Sequence, residues 1–145
     1  MDIKVREASI AEVVSLSQLI PEFDNPYPES EYQSRMDGKA SLILIAEIDN
    51  QPAGFKVGYD KYNDRSFYSW MGAVLPAFRK SGVALKLAQH QEEWARKSGY
   101  RCIRFKTRNY LKTMLIFALK NGFHITEVLP WPDVKDNRIV LEKLL

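Results

Sequence analysis

Cysteine is almost missing: the chain of 145 residues has one, Cys102. One thiol closes no internal disulfide, so packing alone has to hold the fold, and a reducing, cytoplasmic setting is expected. Histidine is equally scarce. His90 and His124 are far apart, with no second cysteine or acidic partner at ligand spacing, so no metal site is expected. No run of about 18 apolar residues occurs, which removes the pattern of a membrane-spanning helix and any expected membrane partner. The opening "MDIKVREAS" puts charges where a secretion signal needs an apolar stretch. Internal repeats, low-complexity stretches and linkers are absent too. Neither sign of charge dominates: 21 Lys+Arg against 18 Asp+Glu leave +3. That falls short of the dense basic stripe of a nucleic-acid reader but suits a small anionic ligand.

What is present is the composition of a globular protein. An apolar share of 46% and a charged share of 27% support one packed domain over residues 1–145. "IKVREA" (Ile3–Ala8) alternates as a strand does. Ser9 and Glu12 have capping-box spacing ahead of a helix that Pro21 ends. "PEFDNPYPES" reads as loop, and Pro28 to Met36 as a short second helix. "SLILIAEI" (Ser41–Ile48) is a strand apolar on both sides, followed by a turn at Asp49–Gln51 and a returning strand Pro52–Tyr59. Ser66–Val74 is the next strand. A helix runs from about Val83 to Ser98, with Gly99 at its C′ position. Arg101–Thr107 alternates as a strand, and Asn109–Asn121 forms the last helix. "FHITEVL" and "RIVLEKLL" supply two more strands. The order β-α-α-β-β-β-α-β-α-β-β predicts an α/β (α+β) architecture. Its centre is a mixed, mostly antiparallel sheet of about seven strands with helices on both faces, including one right-handed strand–helix–strand crossover.

The junction "VLPAFRKSGVA" (Val74–Ala84) stands out. It ends a strand, passes through a basic loop with one glycine, and starts a helix. The first N–H groups of a helix lack partners, and the dipole adds positive character there, so phosphate binds such an end readily. Gly82 permits φ > 0 and close approach, Ala84 is small, and Arg79 and Lys80 add charge. A plain strand-to-helix turn would use the same glycine. A Walker A loop is excluded because Lys80-Ser81 precede Gly82, and the dinucleotide fingerprint G-x-G-x-x-G is absent.

This stretch resembles motif A of the GNAT superfamily of N-acetyltransferases, V-x-P-x-[YF]-R-x-x-G-x-[GA]. Val74, Pro76, Phe78, Arg79, Gly82 and Ala84 match it, the element order agrees along essentially the whole chain, and "ALKNGF" (Ala118–Phe123) resembles a later family segment. The resemblance implies a GNAT-type acyl-CoA N-acyltransferase fold and transfer of an acetyl group from acetyl-CoA to an amine, small or peptidic, by direct attack. It implies that backbone N–H groups of Arg79, Lys80, Ser81, Gly82, Val83 and Ala84 hold the CoA diphosphate. Backbone at Ala73 and Val74 would bond the pantetheine arm, and the Val74 N–H would act as oxyanion donor, a role typically worth about 3–4 kcal/mol of barrier. Asn109 would bond a pantetheine amide where two strands splay; a helix N-cap suits its position equally. Members of the family often dimerise.

The chemistry is less complete. The family's frequent acid for the leaving thiolate, a Tyr four residues before the Gly of the closing G-F, is here Ala118. Tyr68 lies where relatives place a base, but a phenol near pKa 10 needs a strong downward shift to serve, and a packed strand tyrosine is the plainer reading. Glu22 and Asp24, in the proline-rich loop expected to overhang the acceptor, are either solvated acids or the lining of a pocket for a cationic amine. Cys102 points inward as core. Trp131, between two prolines, either caps the acceptor site or covers the core edge. An acyl-CoA-binding module without catalysis is the alternative. A nucleic-acid binder using "RCIRFKTRNYLK" ranks below both.

Overall fold

Ser9 starts the first helix as its spacing predicts. In the computed structural model, which describes residues 2–145, the Glu12 N–H donates to Ser9 Oγ at 3.2 Å. The Ser9 N–H donates back to Glu12 Oε2 at 2.8 Å, which completes the capping box. β1 (Ile3–Glu7) leads into α1 (Ile10–Ser17), and a loop then reaches α2 (Glu29–Met36). β2 (Ser41–Ile48) and β3 (Gln51–Tyr59) are joined through Asp49 and Asn50, whose φ values of 52° and 65° are those a tight hairpin requires. β4 (Ser66–Val74), α3 (Val83–Lys97) and β5 (Cys102–Arg108) form the crossover, and α4 (Lys112–Lys120), β6 (His124–Leu129) and β7 (Arg138–Leu144) complete the chain.

The seven strands lie in the order β1-β2-β3-β4-β5-β7-β6, and only β4 and β5 run parallel. α1 and α2 cover one face, where Val13, Tyr32, Ile45, Phe55 and Val57 form a core. α3 covers the other face, where its Leu87 joins Leu44, Ala46, Phe67 and Ile103, and α4 packs through Ala118 on Ile139 and Leu141. A side chain on Gly54 would place its Cβ 2.8 Å from the Ala73 oxygen and 3.0 Å from Val83 Cγ1. Glycine there lets the start of α3 sit directly on the sheet.

The feature that matters for function is a wedge. β4 and β5 pair only at Ser66–Cys102, Phe67–Ile103 and Tyr68–Arg104. Beyond Tyr68, β4 stays with β3 as far as Val74–Gly54, while β5 stays with β7 as far as Arg108–Arg138. The break coincides with a bulge: the register passes from Gly58–Ser69 to Val57–Met71 and leaves Trp70 unmatched. An extra residue of this kind bends its strand and re-aims the side chains after it. Trp70 and Met71 both pack toward α1 and α2 as a result.

One local expectation is corrected. The last helix starts at Lys112, not Asn109, because the Asn109 and Tyr110 N–H groups donate to Asn137 and Lys135 carbonyls across the β6–β7 connection. On α3, Val83 is buried and Ala84 exposed. Glu92 accepts from Lys143 Nζ at 2.8 Å, while Glu93 takes Arg96 and Lys97.

Candidate active site

Two left-handed residues shape the loop ahead of α3: Lys80 at φ 63° and Gly82 at φ 91°. The Ser81 hydroxyl donates to the Phe78 carbonyl and is folded back, so no side chain caps the helix. The first helical bond comes from Lys86 N–H to the Gly82 carbonyl, 3.1 Å. Every N–H from Lys80 to Leu85 is consequently without an acceptor among the described residues. Around Gly82 the only atom among the described residues that an added Cβ would meet within 4 Å is Ile3 Cδ1, at 3.8 Å. Glycine is required there for its φ and not for room. The Arg79 N–H differs from the rest of the run, since it closes a turn on the Pro76 carbonyl at 3.4 Å.

The Arg79 side chain is committed to protein partners. Its Nη1 and Nη2 each donate to a Glu22 carboxylate oxygen at 2.9 Å, and its Nε donates to the Val74 carbonyl at 3.0 Å. The guanidinium hydrogen bonds hold the Glu22 carboxyl below its ordinary pKa. Glu22 is thus committed to Arg79, whereas Asp24 is exposed.

Strand alternation decides which peptide groups face the wedge. The Leu75 N–H donates to the Ala53 carbonyl at 2.8 Å, so Leu75 and Ala73 direct their backbone groups at β3. Val74 and Gly72 direct theirs into the gap. On the far side, Asn109 Nδ2 donates to the Val134 carbonyl at 3.1 Å and leaves Oδ1 as an acceptor. With α4 starting at Lys112, Asn109 is not its cap.

Tyr68 is buried, with its ring edge-on to Tyr59 and Tyr62 at 5.7 and 5.8 Å. Burial pushes its phenol up to about 12, opposite to the shift a base needs. Burial likewise raises the Cys102 thiol. Ala118 lies in the α4 core, with no titratable group in its place. His90 and His124 are exposed on separate elements. Trp131 is half exposed, with the Arg138 guanidinium 4.3 Å above its ring.

Sequence reading passed over several side chains near the wedge. Arg35 lies 4.5 Å over the Trp70 ring, and Lys61 Nζ lies 4.7 Å over Tyr68. Lys56 is half-buried on the α3 side, close to Gly72, and burial pulls it down to about 8. Only Lys56 left a trace in the sequence, as one lysine within the apolar strand "PAGFKVGY".

Comparisons with known proteins converge on one family. Residues 12–123 match the model of the acetyltransferase (GNAT) family. An aminoglycoside N(6')-acetyltransferase type 1 from Acinetobacter genomosp. 13 is 31% identical over 134 residues, covering 85% of this chain and 90% of that protein. Among solved structures, Ard1 from Thermoplasma volcanium superimposes with a TM-score of 0.82 at 20% identity, covering 100% of this chain and 99% of that one. The ribosomal-protein-S18-alanine N-acetyltransferase of Escherichia coli gives 0.81 at 14% identity, covering 99% and 94%. The PaiA N-acetyltransferase of Thermoplasma acidophilum, solved with coenzyme A, gives 0.73 at 19% identity, covering 100% of both chains. With the strand wedge and the uncapped helix start in place, the chain belongs to the acetyltransferase (GNAT) family of acyl-CoA-dependent N-acyltransferases.

Proposed function

We propose that residues 1–145 work as one cytoplasmic catalytic domain that moves the acetyl group of acetyl-CoA to a primary amine by direct attack. One observation carries this reading: the unpartnered N–H groups from Lys80 to Leu85 open beside the β4–β5 wedge. Those groups suit a diphosphate, and the helix dipole adds to their field. When bound, acetyl-CoA supplies an acyl group activated as a thioester. The gap-facing N–H groups of Gly72 and Val74 would extend β4 by one partner, with Val74 as oxyanion donor, while the Ala73 peptide groups serve β3 instead. Asn109 Oδ1 would accept an amide N–H from the pantetheine arm.

Proton handling is left to solvent. Tyr68 stays protonated at neutral pH, so the amine attacks from its neutral fraction, and water meets the leaving thiolate where Ala118 offers nothing. A homodimer would use the free edge of β6, which exposes Ile125 and Val128. Sedimentation at tens of micromolar protein checks that point. Calorimetry with acetyl-CoA, followed by thiol release on adding amines, tests the main reading. A folded chain that gives no binding heat at millimolar acetyl-CoA would refute it.

A further inference from the structure

On the α1/α2 side of the wedge, five aromatic rings form a continuous floor. Tyr27 and Trp70 are 5.5 Å apart, Trp70 and Tyr59 5.8 Å, Tyr59 and Tyr68 5.7 Å, and Tyr68 and Tyr62 5.8 Å. Rings grouped like this can make a cage for a ligand's cation. Here the protein's own cations occupy them. Arg35 lies over Trp70 and Tyr27, Lys39 5.6 Å from Tyr59, Lys61 over Tyr68, and Arg104 4.8 Å from Tyr62.

These cations differ in their partners. Arg35 pairs with Glu31 at 2.9 Å, and Arg104 is shared by Asp64 and Glu142 at 3.1 and 2.8 Å. Lys39 and Lys61 have no carboxylate within 4.0 Å among the described residues, and neither does Lys106. Arg104 shares the face of its partner Tyr68, and Lys106, two residues on, points the same way. The charges are close enough to act on one another: burial, then Lys106, Arg35 and Lys39, depress the Lys61 ammonium. The acids nearby are Asp60, which lines one cleft with Lys39 and Lys61 but accepts from the Tyr100 hydroxyl and the Asn63 N–H, Asp64 and Glu142, already used, the Tyr62 neighbour Glu127, and the loop residues Asp24 and Glu22. None of them comes within 4.0 Å of the three lysines among the described residues, and three positive charges against the one carboxylate of that cleft leave it net positive.

We propose that the acceptor is a primary amine that also carries an anionic group, a carboxylate or a phosphate, held by Lys39, Lys61 and Lys106 beside the wedge. This rests on the acetyl-transfer reading above. The occupied ring faces exclude a substrate ammonium from the aromatic floor, and the lysines repel a polycation. The same positive surroundings disfavour the ammonium form of the bound amine, so its nitrogen loses a proton more readily. The absent general base is thereby compensated by the field of the site.

Acetyl-dependent thiol release over amines of similar length tests this. β-Alanine and O-phosphoethanolamine carry the anion; propylamine and 1,3-diaminopropane do not, and kanamycin serves as a polycation. Rates are compared per concentration of neutral amine. One of the two anionic amines should exceed propylamine and both polycations at least tenfold in kcat/KM, and whichever leads identifies the anion. Lys61→Gln and Lys106→Gln should each raise KM for that amine fivefold or more and leave the acetyl-CoA Kd within twofold. Faster turnover of 1,3-diaminopropane or kanamycin overturns the proposal. So does parity between anionic and neutral amines, or silence of both anionic amines while acetyl-CoA binds. A chain that fails to bind acetyl-CoA overturns instead the transfer reading on which this one stands.

Discussion

Gly82 and Gly99 make a matched pair for testing the cradle. Their φ values are 91° and 90°, and a Cβ on either meets no closer atom than Ile3 Cδ1 at 3.8 Å beside Gly82. Alanine at either site therefore costs only the left-handed conformation, roughly 1–2 kcal/mol. For a domain of this size that lowers Tm by roughly 4 °C per kcal/mol. The two variants should lose similar stability, unless the strain is relieved by turning the backbone. At Gly99 such relief alters a helix end far from the ligand. At Gly82 it rotates the peptide groups that open α3, and ligand binding must then restore the strained form. The strain absent from the unfolding measurement reappears in binding, as a loss of up to about 5- to 30-fold in acetyl-CoA affinity. Thermal unfolding and calorimetry on both variants, with Gly82→Glu added to bring a negative charge against the diphosphate, measure the partition. Gly82→Ala and Gly82→Glu both binding acetyl-CoA within twofold of the parent would refute the cradle. So would an equal affinity loss in Gly99→Ala.

Three further outcomes follow from the structure. Tyr68→Phe should keep kcat within a few-fold, and both chains should show the same rise of kcat/KM with pH between 6 and 9, because a phenol at about 12 does not titrate there. Loss of that rise in the variant would restore Tyr68 as a base. Lys56→Met should stabilise the fold at pH 7, read by denaturant midpoints. Lys56 titrates at about 8 when folded and at 10.5 ordinarily, so below 8 both states are protonated and the full cost of the buried charge stands. Between those values the unfolded chain binds more protons and the parent gains stability, so the variant's advantage should shrink and vanish by about pH 10.5. Glu22→Gln should expose the α1–α2 loop to limited proteolysis at pH 7. Because Arg79 holds Glu22 below its usual pKa, the parent's protection is complete above the ordinary carboxylate range and fades as pH falls through the folded value.

The elements with a local cause were legible in the sequence. Ser9 with Glu12, Asp49-Asn50 and Gly82 each impose a backbone geometry on their immediate neighbours, and alternation marked the strands. The α4 start was misjudged because Asn109 and Tyr110 have acceptors in Lys135 and Asn137, more than 20 residues along the chain. The bulge at Trp70 was equally hidden. It arises from a register between two strands, and "SFYSWMGAV" alternates no differently for containing it. The basic cluster over the aromatic floor is not visible in sequence because Arg35, Lys39, Lys61 and Lys106 come from three separate stretches, each with an ordinary charge content.

Arg79 shows how the two levels combine. In sequence it reads as positive charge for a phosphate, and Glu22 as a loop acid of no fixed role. In the fold the two share a bidentate pair, and the third donor of Arg79 holds the Val74 carbonyl. The side chain thus fastens the α1–α2 loop to the end of β4 that carries the gap-facing Val74 N–H, and the proposed diphosphate site is left to backbone donors. Main-chain N–H groups keep fixed positions once Gly82 and Lys80 take their left-handed angles. On the proposed reading, a motif can therefore preserve donor binding while the charges across the wedge change, which leaves the face beyond it free to be basic.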